Sequence, residues 1–152
     1  MTKLLLLGIT GSGKSTISEP IGQALELKIL EVDQKIIRLN NGLWPKDGDI
    51  IRKYMLATND AVIKMDHILY VTSWLSKENI KRFYNKGFKI IELHADFEEL
   101  LKRKIKRDNP PQNQIDQFKE DSEGYYEVIN DQEIQPLLTL SLDTTNMPIK
   151  SV

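Results

Sequence analysis

The chain of 152 residues contains no cysteine and only two histidines. Disulfide bonds and thiolate metal sites are therefore excluded, and nothing indicates an oxidising compartment. The 21 basic and 22 acidic residues leave a net charge of −1, so no global field attracts nucleic acid or an anionic membrane. No stretch approaches the roughly 18 consecutive apolar residues of a membrane span. These absences predict a cytoplasmic protein that binds neither membranes nor nucleic acid.

Short apolar runs alternate with helical patterns along the chain. The five predicted strands are residues 3–7, 28–32, 67–72, 88–94 and 138–142. The five predicted helices are residues 14–25, 33–39, 49–64, 77–85 and 97–107. Runs that are apolar throughout are typical of strands buried on both faces. The alternation predicts an α/β fold with a parallel sheet between helical layers, and the length fits a single domain over residues 1–152.

The region 108–136 departs from this alternation. The letters RDNPPQNQ, rich in proline and amides, predict a loop, and the segment after them is acidic. One interpretation is an exposed loop followed by a solvated, mostly helical face. The other is a mobile lid over a site, at about 108–122, because ordered domains seldom keep long irregular loops without a use for them.

A glycine-rich segment lies between the first predicted strand and the first predicted helix. Residues 8–15, GITGSGKS, match G-x-x-x-x-G-K-[ST] at every fixed position. The glycines let consecutive main-chain N–H groups turn toward an anion, and the helix adds its positive dipole end. We predict that this loop binds ATP and Mg²⁺, with Lys14 at the β- and γ-phosphates and the Ser15 hydroxyl on the metal. The predicted nucleotide-binding residues of the loop are Gly11, Ser12, Gly13, Lys14, Ser15 and Thr16.

Two carboxylates follow the second predicted strand. Glu31 and Asp33 lie at its C-terminal edge, where open parallel sheets bind their ligands. Two residues apart on a strand, they are expected to point the same way, so that one holds Mg²⁺ through water and the other accepts a proton from an attacking hydroxyl. Asp33 as the N-cap of the next helix is an alternative that is compatible with this role.

Residues 1 to 148 resemble the small P-loop kinases, a group that includes shikimate kinase, gluconate kinase and the nucleoside monophosphate kinases. The segments EVDQKI, residues 31–36, and GDIIR, residues 48–52, are similar to two motifs of shikimate kinase. The resemblance implies a three-layer P-loop NTPase fold, a five-stranded parallel sheet of order 2-3-1-4-5 with helices on both faces, and a substrate-closing lid. It also implies that Glu31 lies near the magnesium, that Asp33 binds or deprotonates the acceptor, and that Arg52 grips an anionic group on it.

The chain departs from the shikimate kinase pattern after the third predicted strand. Thr72, Ser73 and Trp74 stand where that family has three glycines, which argues against shikimate itself as the acceptor. No acidic residue closes this strand, so a Walker B aspartate is absent, and metal support is expected from Ser15 with Glu31 or Asp33. Trp74 is interpreted as a core or edge aromatic, with substrate stacking as the alternative.

The fifth predicted helix ends in a basic cluster. Arg103 and Arg107 are four residues apart and share a face. Their position resembles the lid entrance of the same kinases, which implies that Arg103 contacts the nucleotide and Arg107 the transferring phosphoryl group. The alternative is a solvated basic face balanced by the acidic segment that follows. The resemblance also places Thr145, Asn146 and Pro148 beside the adenine, although a simple turn explains them equally well.

The sequence therefore predicts a kinase that moves the γ-phosphoryl of ATP, with Mg²⁺, to a hydroxyl or phosphate of a small molecule. Its predicted catalytic residues are Lys14, Asp33 and Arg107, and its acceptor-binding residues are Asp33 and Arg52. Two alternatives stay open. One is a nucleoside or nucleotide kinase with a phosphate acceptor, and the other is a nucleotide-dependent switch or ATPase without a small-molecule acceptor. The sequence does not indicate the acceptor's identity, the base preference or the oligomeric state.

Overall fold

The computed structural model describes residues 2–73 and 75–148. The strands are β1 Lys3–Gly8, β2 Lys28–Glu31, β3 Ile68–Thr72, β4 Lys89–His94 and β5 Leu138–Asp143. The helices are α1 Lys14–Ala24, α2 Val32–Leu39, α3 Gly48–Val62, α4 Lys77–Asn85, α5 Phe97–Asp108 and α6 Gln112–Ile129. A 3-10 turn, Gln135–Leu137, precedes β5. All five predicted strands and all five predicted helices are confirmed, with boundaries that shift by at most two residues.

The five strands form one parallel sheet in the order β2-β3-β1-β4-β5. β1 lies at the centre, with its Leu5 opposite Tyr70 of β3 on one side and Ile90 of β4 on the other. The chain leaves β3 on one side of β1 and returns as β4 on the other. Such a reversal opens a crevice at the carboxyl ends of the strands, where ligands of open α/β sheets bind. The strand order implied by the resemblance is confirmed.

Side chains of β1 alternate between two apolar clusters. Leu5 and Leu7 belong to the larger cluster, to which helices α2 to α6 all contribute residues. Leu4 and Leu6 belong to the smaller cluster on the opposite face, against which α1 packs. Alternate residues of a strand face opposite sides of a sheet, so helices cover both faces. The three-layer arrangement is confirmed.

The predicted loop at residues 107–114 is wrong in its extent. The non-helical connection between α5 and α6 is only residues 109–111, and α6 runs for 18 residues through the acidic segment. Pro110 and Pro111 end one helix, and Pro111 then occupies the N-cap position of the next. Phe118, Ser122, Tyr125 and Ile129 are its buried residues, and their helical spacing is hidden among acidic neighbours. The interpretation of a mostly helical acidic face is confirmed.

Helix α6 is tied to the sheet through two tyrosine hydroxyls. Tyr125 donates a hydrogen bond to the main-chain oxygen of Leu93 at 3.0 Å, and Tyr126 donates one to that of Ala95. Both acceptors lie at the carboxyl end of β4, on the edge that carries the crevice.

Within residues 2–73 and 75–148, no helix has the length and hydropathy needed to cross a membrane.

Candidate active site

The loop between β1 and α1 has the backbone that its glycines predict. Gly11 and Gly13 adopt positive φ angles of 86° and 99°, a region that side-chain-bearing residues rarely occupy. Gly13 is the N-cap of α1. A Cβ on Gly8 would lie 2.4 Å from the Ser12 hydroxyl oxygen, so the start of the loop has no room for a side chain. The loop is therefore a tight turn that leads directly into the helix.

The start of α1 has unused hydrogen-bond donors. The main-chain N–H groups of Gly13, Lys14 and Ser15 have no hydrogen-bond partner in the part of the chain that the structure describes, as expected for the first turn of a helix. The buried Ser12 hydroxyl also lacks a partner there. Unpaired N–H groups and the positive end of a helix dipole together bind anions. The residues of the loop therefore fit a polyphosphate.

A cavity of about 590 Å³ opens in front of this loop. It brings together most of the residues that the sequence predicted for the site. Its lining includes Gly11, Gly13, Lys14, Ser15, Thr16, Glu31, Asp33, Arg103 and Arg107. Ser12, although part of the loop, is fully buried and does not line the cavity. Arg52 does not line it either.

Opposing electrostatic effects determine the pKa of Lys14 in the cavity. Burial lowers the pKa of Lys14 from 10.5 to about 8, although the carboxylates of Asp33 and Glu31 raise it. Burial and the Asp33 charge raise the pKa of Glu31, which Lys14 partly lowers. The three groups thus form one interacting set, in which a partly buried cation interacts with two carboxylates. An anionic ligand at Lys14 would favour the charged form of this lysine.

Glu31 and Asp33 reach the cavity by a route that differs from the prediction. Strand β2 ends at Glu31, and Asp33 lies in the first turn of α2. The expectation that both project from one strand is therefore wrong. The N-cap position of α2 belongs to Glu31, without a side-chain cap bond, so Asp33 is not the cap. Both carboxylates line the cavity nevertheless, because a helix that starts at the end of β2 keeps its first turn at the same edge.

Arg103 is engaged with the protein itself. Its guanidinium donates to the main-chain oxygen of Gly11 at 2.8 Å and to that of Thr144 at 2.6 Å. Longer bonds reach the main-chain oxygens of Thr145 and Met147, and Nε donates to Glu99. Arg103 therefore joins the phosphate loop to the turn after β5.

Arg107 is exposed at the rim of the cavity. Its guanidinium donates two hydrogen bonds, at 3.1 and 3.2 Å, to the carboxylate of the adjacent Asp108. These bonds and the nearby Lys104 ammonium lower the pKa of Asp108. Since α5 ends at Asp108, Arg107 lies where the chain turns toward α6.

Arg52 lies at a second cavity of about 240 Å³. This acceptor-side cavity, as we call it, is lined by α3, α4 and the segment before α4. Its lining residues are Gly48, Ile51, Arg52, Met55, Leu56, Asn59, Leu75, Ser76 and Asn79. The structure therefore does not bring Arg52 into the cavity of Lys14 and Asp33. Trp74, which precedes this lining, is outside the described residues.

Two threonines near the loop were not predicted. The Thr144 hydroxyl donates to the main-chain oxygen of Ser12 at 2.6 Å. The Thr72 hydroxyl, at the carboxyl end of β3, is buried and has no partner of normal hydrogen-bond geometry among residues 2–73 and 75–148. Thr72 pairs in register with Leu7 of β1, just before the loop. In the sequence, only the position of Thr72 at the end of a predicted strand could have indicated that it belongs to the site. Nothing in the sequence indicates the same for Thr144.

The described residues contain no cluster of three or more histidine, aspartate or glutamate side chains that would hold a metal alone. The oxygen donors at the cavity include the Ser15 hydroxyl and the carboxylates of Glu31 and Asp33. Mg²⁺ takes oxygen ligands and is usually held by one or two carboxylates together with substrate phosphates. This donor set fits a magnesium ion that arrives with a nucleotide.

Comparisons with known proteins agree with this description. No protein-family model matches the chain. A shikimate kinase of Caldicellulosiruptor bescii is 27% identical over 119 residues, which cover 73% of this chain and 69% of the relative. A shikimate kinase of Clostridium botulinum is 32% identical over 95 residues, which cover 58% of each protein. The chain thus matches only part of the length of these relatives.

Among solved structures, shikimate kinase from Acinetobacter baumannii in complex with shikimate has a similar fold. The TM-score is 0.74 at 18% identity, and the match covers 96% of this chain and 85% of that one. At this identity the likeness shows the fold. Together with the two relatives, it confirms the predicted resemblance. The chain is therefore similar to the small P-loop kinases in sequence and in fold, and the comparisons do not resolve which member of that group it resembles most.

Proposed function

We propose that the chain transfers the γ-phosphoryl group of ATP to a hydroxyl group of a small molecule. The observation that supports this most strongly is the meeting of the two halves of such a reaction in one cavity. The unpaired N–H groups of the loop and Lys14 line this cavity together with Glu31 and Asp33. A phosphate donor and an acceptor would meet between them.

On the donor side, the loop N–H groups and the Lys14 ammonium bind the phosphate oxygens. The Ser15 hydroxyl and the Glu31 carboxylate would hold Mg²⁺, which would supply positive charge to offset that of the phosphate oxygens. Because Arg103 fixes the main-chain oxygen of Gly11, the loop keeps its shape before the nucleotide arrives.

On the acceptor side, Asp33 accepts the proton that the attacking hydroxyl loses. Arg107 neutralises charge on the transferring oxygens. Arg107 reaches these oxygens when the segment at about 108–122 closes as a lid. For this, the Arg107 guanidinium must leave the Asp108 carboxylate and bind phosphate instead. Arg52, in the acceptor-side cavity, holds an anionic group on the distal part of the acceptor.

A hydroxyl acceptor is favoured because the relatives are named shikimate kinases. The residues Thr72, Ser73 and Trp74 argue that the acceptor differs from shikimate. A nucleotide kinase, whose acceptor is a phosphate, needs no base at Asp33. The two classes therefore differ in their response to Asp33→Asn.

The test is ADP release by the full chain with Mg²⁺·ATP and a panel of acceptors. The panel contains shikimate, D-gluconate and nucleoside monophosphates. For a hydroxyl acceptor, Asp33→Asn should lower turnover about 10²- to 10⁴-fold, and Lys14→Ala should abolish it. Asp66→Asn is the matched control, since Asp66 is exposed at the opposite end of β3. Turnover of a nucleotide that survives Asp33→Asn would support the nucleotide kinase, and no acceptor-stimulated release at all would support the switch.

A further inference from the structure

Asn59 is a buried amide at the acceptor-side cavity. It lies on α3 and is only 4% exposed, yet it lines the cavity seven residues after Arg52. Seven residues are about two helical turns, so the two side chains share a face of α3. The other walls are largely apolar, with Ile51, Met55 and Leu75 among them.

One end of the Asn59 amide is already used. The Tyr70 hydroxyl donates a hydrogen bond to Asn59 Oδ1, with 2.5 Å between the two oxygens. Tyr70 is fully buried in β3, where its ring packs against Phe83 at 5.6 Å between centroids. Burial and the Asp33 charge raise the pKa of Tyr70, so the hydroxyl keeps its proton and remains a donor. In this arrangement the amide oxygen faces Tyr70.

The other end of the amide is unused. Asn59 Nδ2 has no hydrogen-bond partner among residues 2–73 and 75–148. Among the described residues, the buried side-chain atoms without a partner are Ser12 Oγ and Thr72 Oγ1. Asn59 Nδ2 is not one of them, so its N–H groups are accessible from the cavity that Asn59 lines. With Oδ1 on the Tyr70 hydroxyl, the two N–H donors of Nδ2 are left for the cavity that Asn59 shares with Arg52.

Asn79 lines the same cavity but differs in this respect. Its Nδ2 donates to the Ser76 hydroxyl at 3.2 Å, and its Oδ1 accepts from Arg82 at 2.9 Å. Both ends of that amide are paired within the protein. Of these two amides, Asn59 is thus the one whose nitrogen has no partner within the described residues.

We propose that Asn59 is a specificity-determining residue, which donates hydrogen bonds to an oxygen of the acceptor, and that Tyr70 is the positioning residue that orients it. The inference rests on the proposed function. No acidic residue lines this cavity, and Arg52 and the Asn59 amide present only donors. The acceptor class is therefore a small hydroxy acid, whose carboxylate oxygens lie between Arg52 and Asn59 while its hydroxyl faces Asp33.

The test is a titration of the ¹⁵N-labelled full chain, in which the Asn59 side-chain amide signals are followed by NMR. The probes are shikimate, D-gluconate and D-glucitol, the last being the neutral counterpart of D-gluconate. At least one acid should shift these signals saturably, and D-glucitol should bind more weakly than D-gluconate. No shift with either acid would overturn the proposal.

Asn59→Asp keeps an oxygen for Tyr70 but replaces both donors, so it should raise the dissociation constant of the acid about tenfold or more. Asn79→Asp introduces the same charge at the same cavity and should change that constant less than about threefold, because Arg82 pairs with it. Equal weakening by the two variants would refute a direct contact. If Asn59→Asp does not fold, Tyr70→Phe decides, since it frees the amide to rotate and should weaken the acid without moving Arg52.

Binding of Mg²⁺·ATP is measured by calorimetry on the same samples. If the wild-type chain does not bind Mg²⁺·ATP, the proposed function is refuted. The response of the Asn59 amide signals to the acids can still be interpreted in that case. A chain that binds nucleotide but shows equal effects of Asn59→Asp and Asn79→Asp would refute only the role of Asn59.

Discussion

Replacing Lys14 by methionine should stabilise the nucleotide-free protein while destroying its nucleotide site. Burial lowers the pKa of Lys14 from 10.5 to about 8, so the native state disfavours the charged ammonium. A shift of this size corresponds to about 3 kcal/mol at neutral pH, which methionine, of similar length and apolar, would recover in part. We expect the free energy of unfolding, from urea titration at pH 7, to rise by up to about 3 kcal/mol.

The lowered pKa of Lys14 also predicts how the stability difference between Lys14→Met and the wild type changes with pH. The native pKa of Lys14 lies below the unfolded one, so the unfolded state binds more protons between pH 8 and 10.5. The cost of the charged lysine is therefore fully present below about pH 8 and fades as the pH rises toward 10.5. The stability difference between Lys14→Met and the wild type should shrink over that same window.

Two controls separate this effect from a general one. Lys102→Met removes an exposed lysine that lines the same cavity and should change stability by less than about 0.5 kcal/mol. Mg²⁺·ATP at a hundred times its dissociation constant should stabilise the wild type by about 2.7 kcal/mol and leave Lys14→Met unchanged. A Lys14→Met protein that is less stable than the wild type without nucleotide at pH 7 would refute the reasoning.

Two further substitutions test the loop. Arg103→Lys loses the planar fork that holds several main-chain oxygens and should weaken Mg²⁺·ATP binding about tenfold in calorimetry; an unchanged dissociation constant would contradict its role as a brace. Gly8→Ala places a Cβ 2.4 Å from the Ser12 hydroxyl and should lower the free energy of unfolding by about 1–3 kcal/mol. Gly124→Ala, inside α6 with no atom within 4 Å of the added Cβ, should instead raise it by about 0.5–1 kcal/mol, and a loss of stability there equal to that of Gly8→Ala would exclude a steric effect specific to the loop.

The fold was predictable because its signals are local. Each strand of the sheet is a short apolar run, and the Ser76 hydroxyl accepts from the Asn79 N–H as an N-cap does. Helix α6 was harder to predict, since two prolines and a run of acidic residues resemble a loop. Its buried face, which includes Phe118 and Tyr125, can be recognised in the sequence only if a helical spacing is assumed.

The site was predictable where the motif is contiguous, as it is from Gly8 to Ser15. Arg103 shows why the rest was not. Its partners Gly11 and Thr144 lie 92 and 41 residues away in sequence, and no local pattern indicates that an arginine will bind main-chain oxygens. Asp33 was placed on β2 because α2 begins directly after the last residue of this strand, so no turn residues mark the change.

The contacts around the loop explain how a bare backbone keeps one shape without a ligand. Glycines at positions 11 and 13 make the unfolded loop unusually free, so ordering them costs more entropy than other residues would. Arg103 holds Gly11 from one side and Thr144 holds Ser12 from the other. Both contacts come from elements far from the loop in sequence, namely α5 and the turn after β5. Preorganisation of this kind lowers the entropy lost on nucleotide binding, and the affinity for nucleotide thus depends on how Arg103 and Thr144 hold the loop.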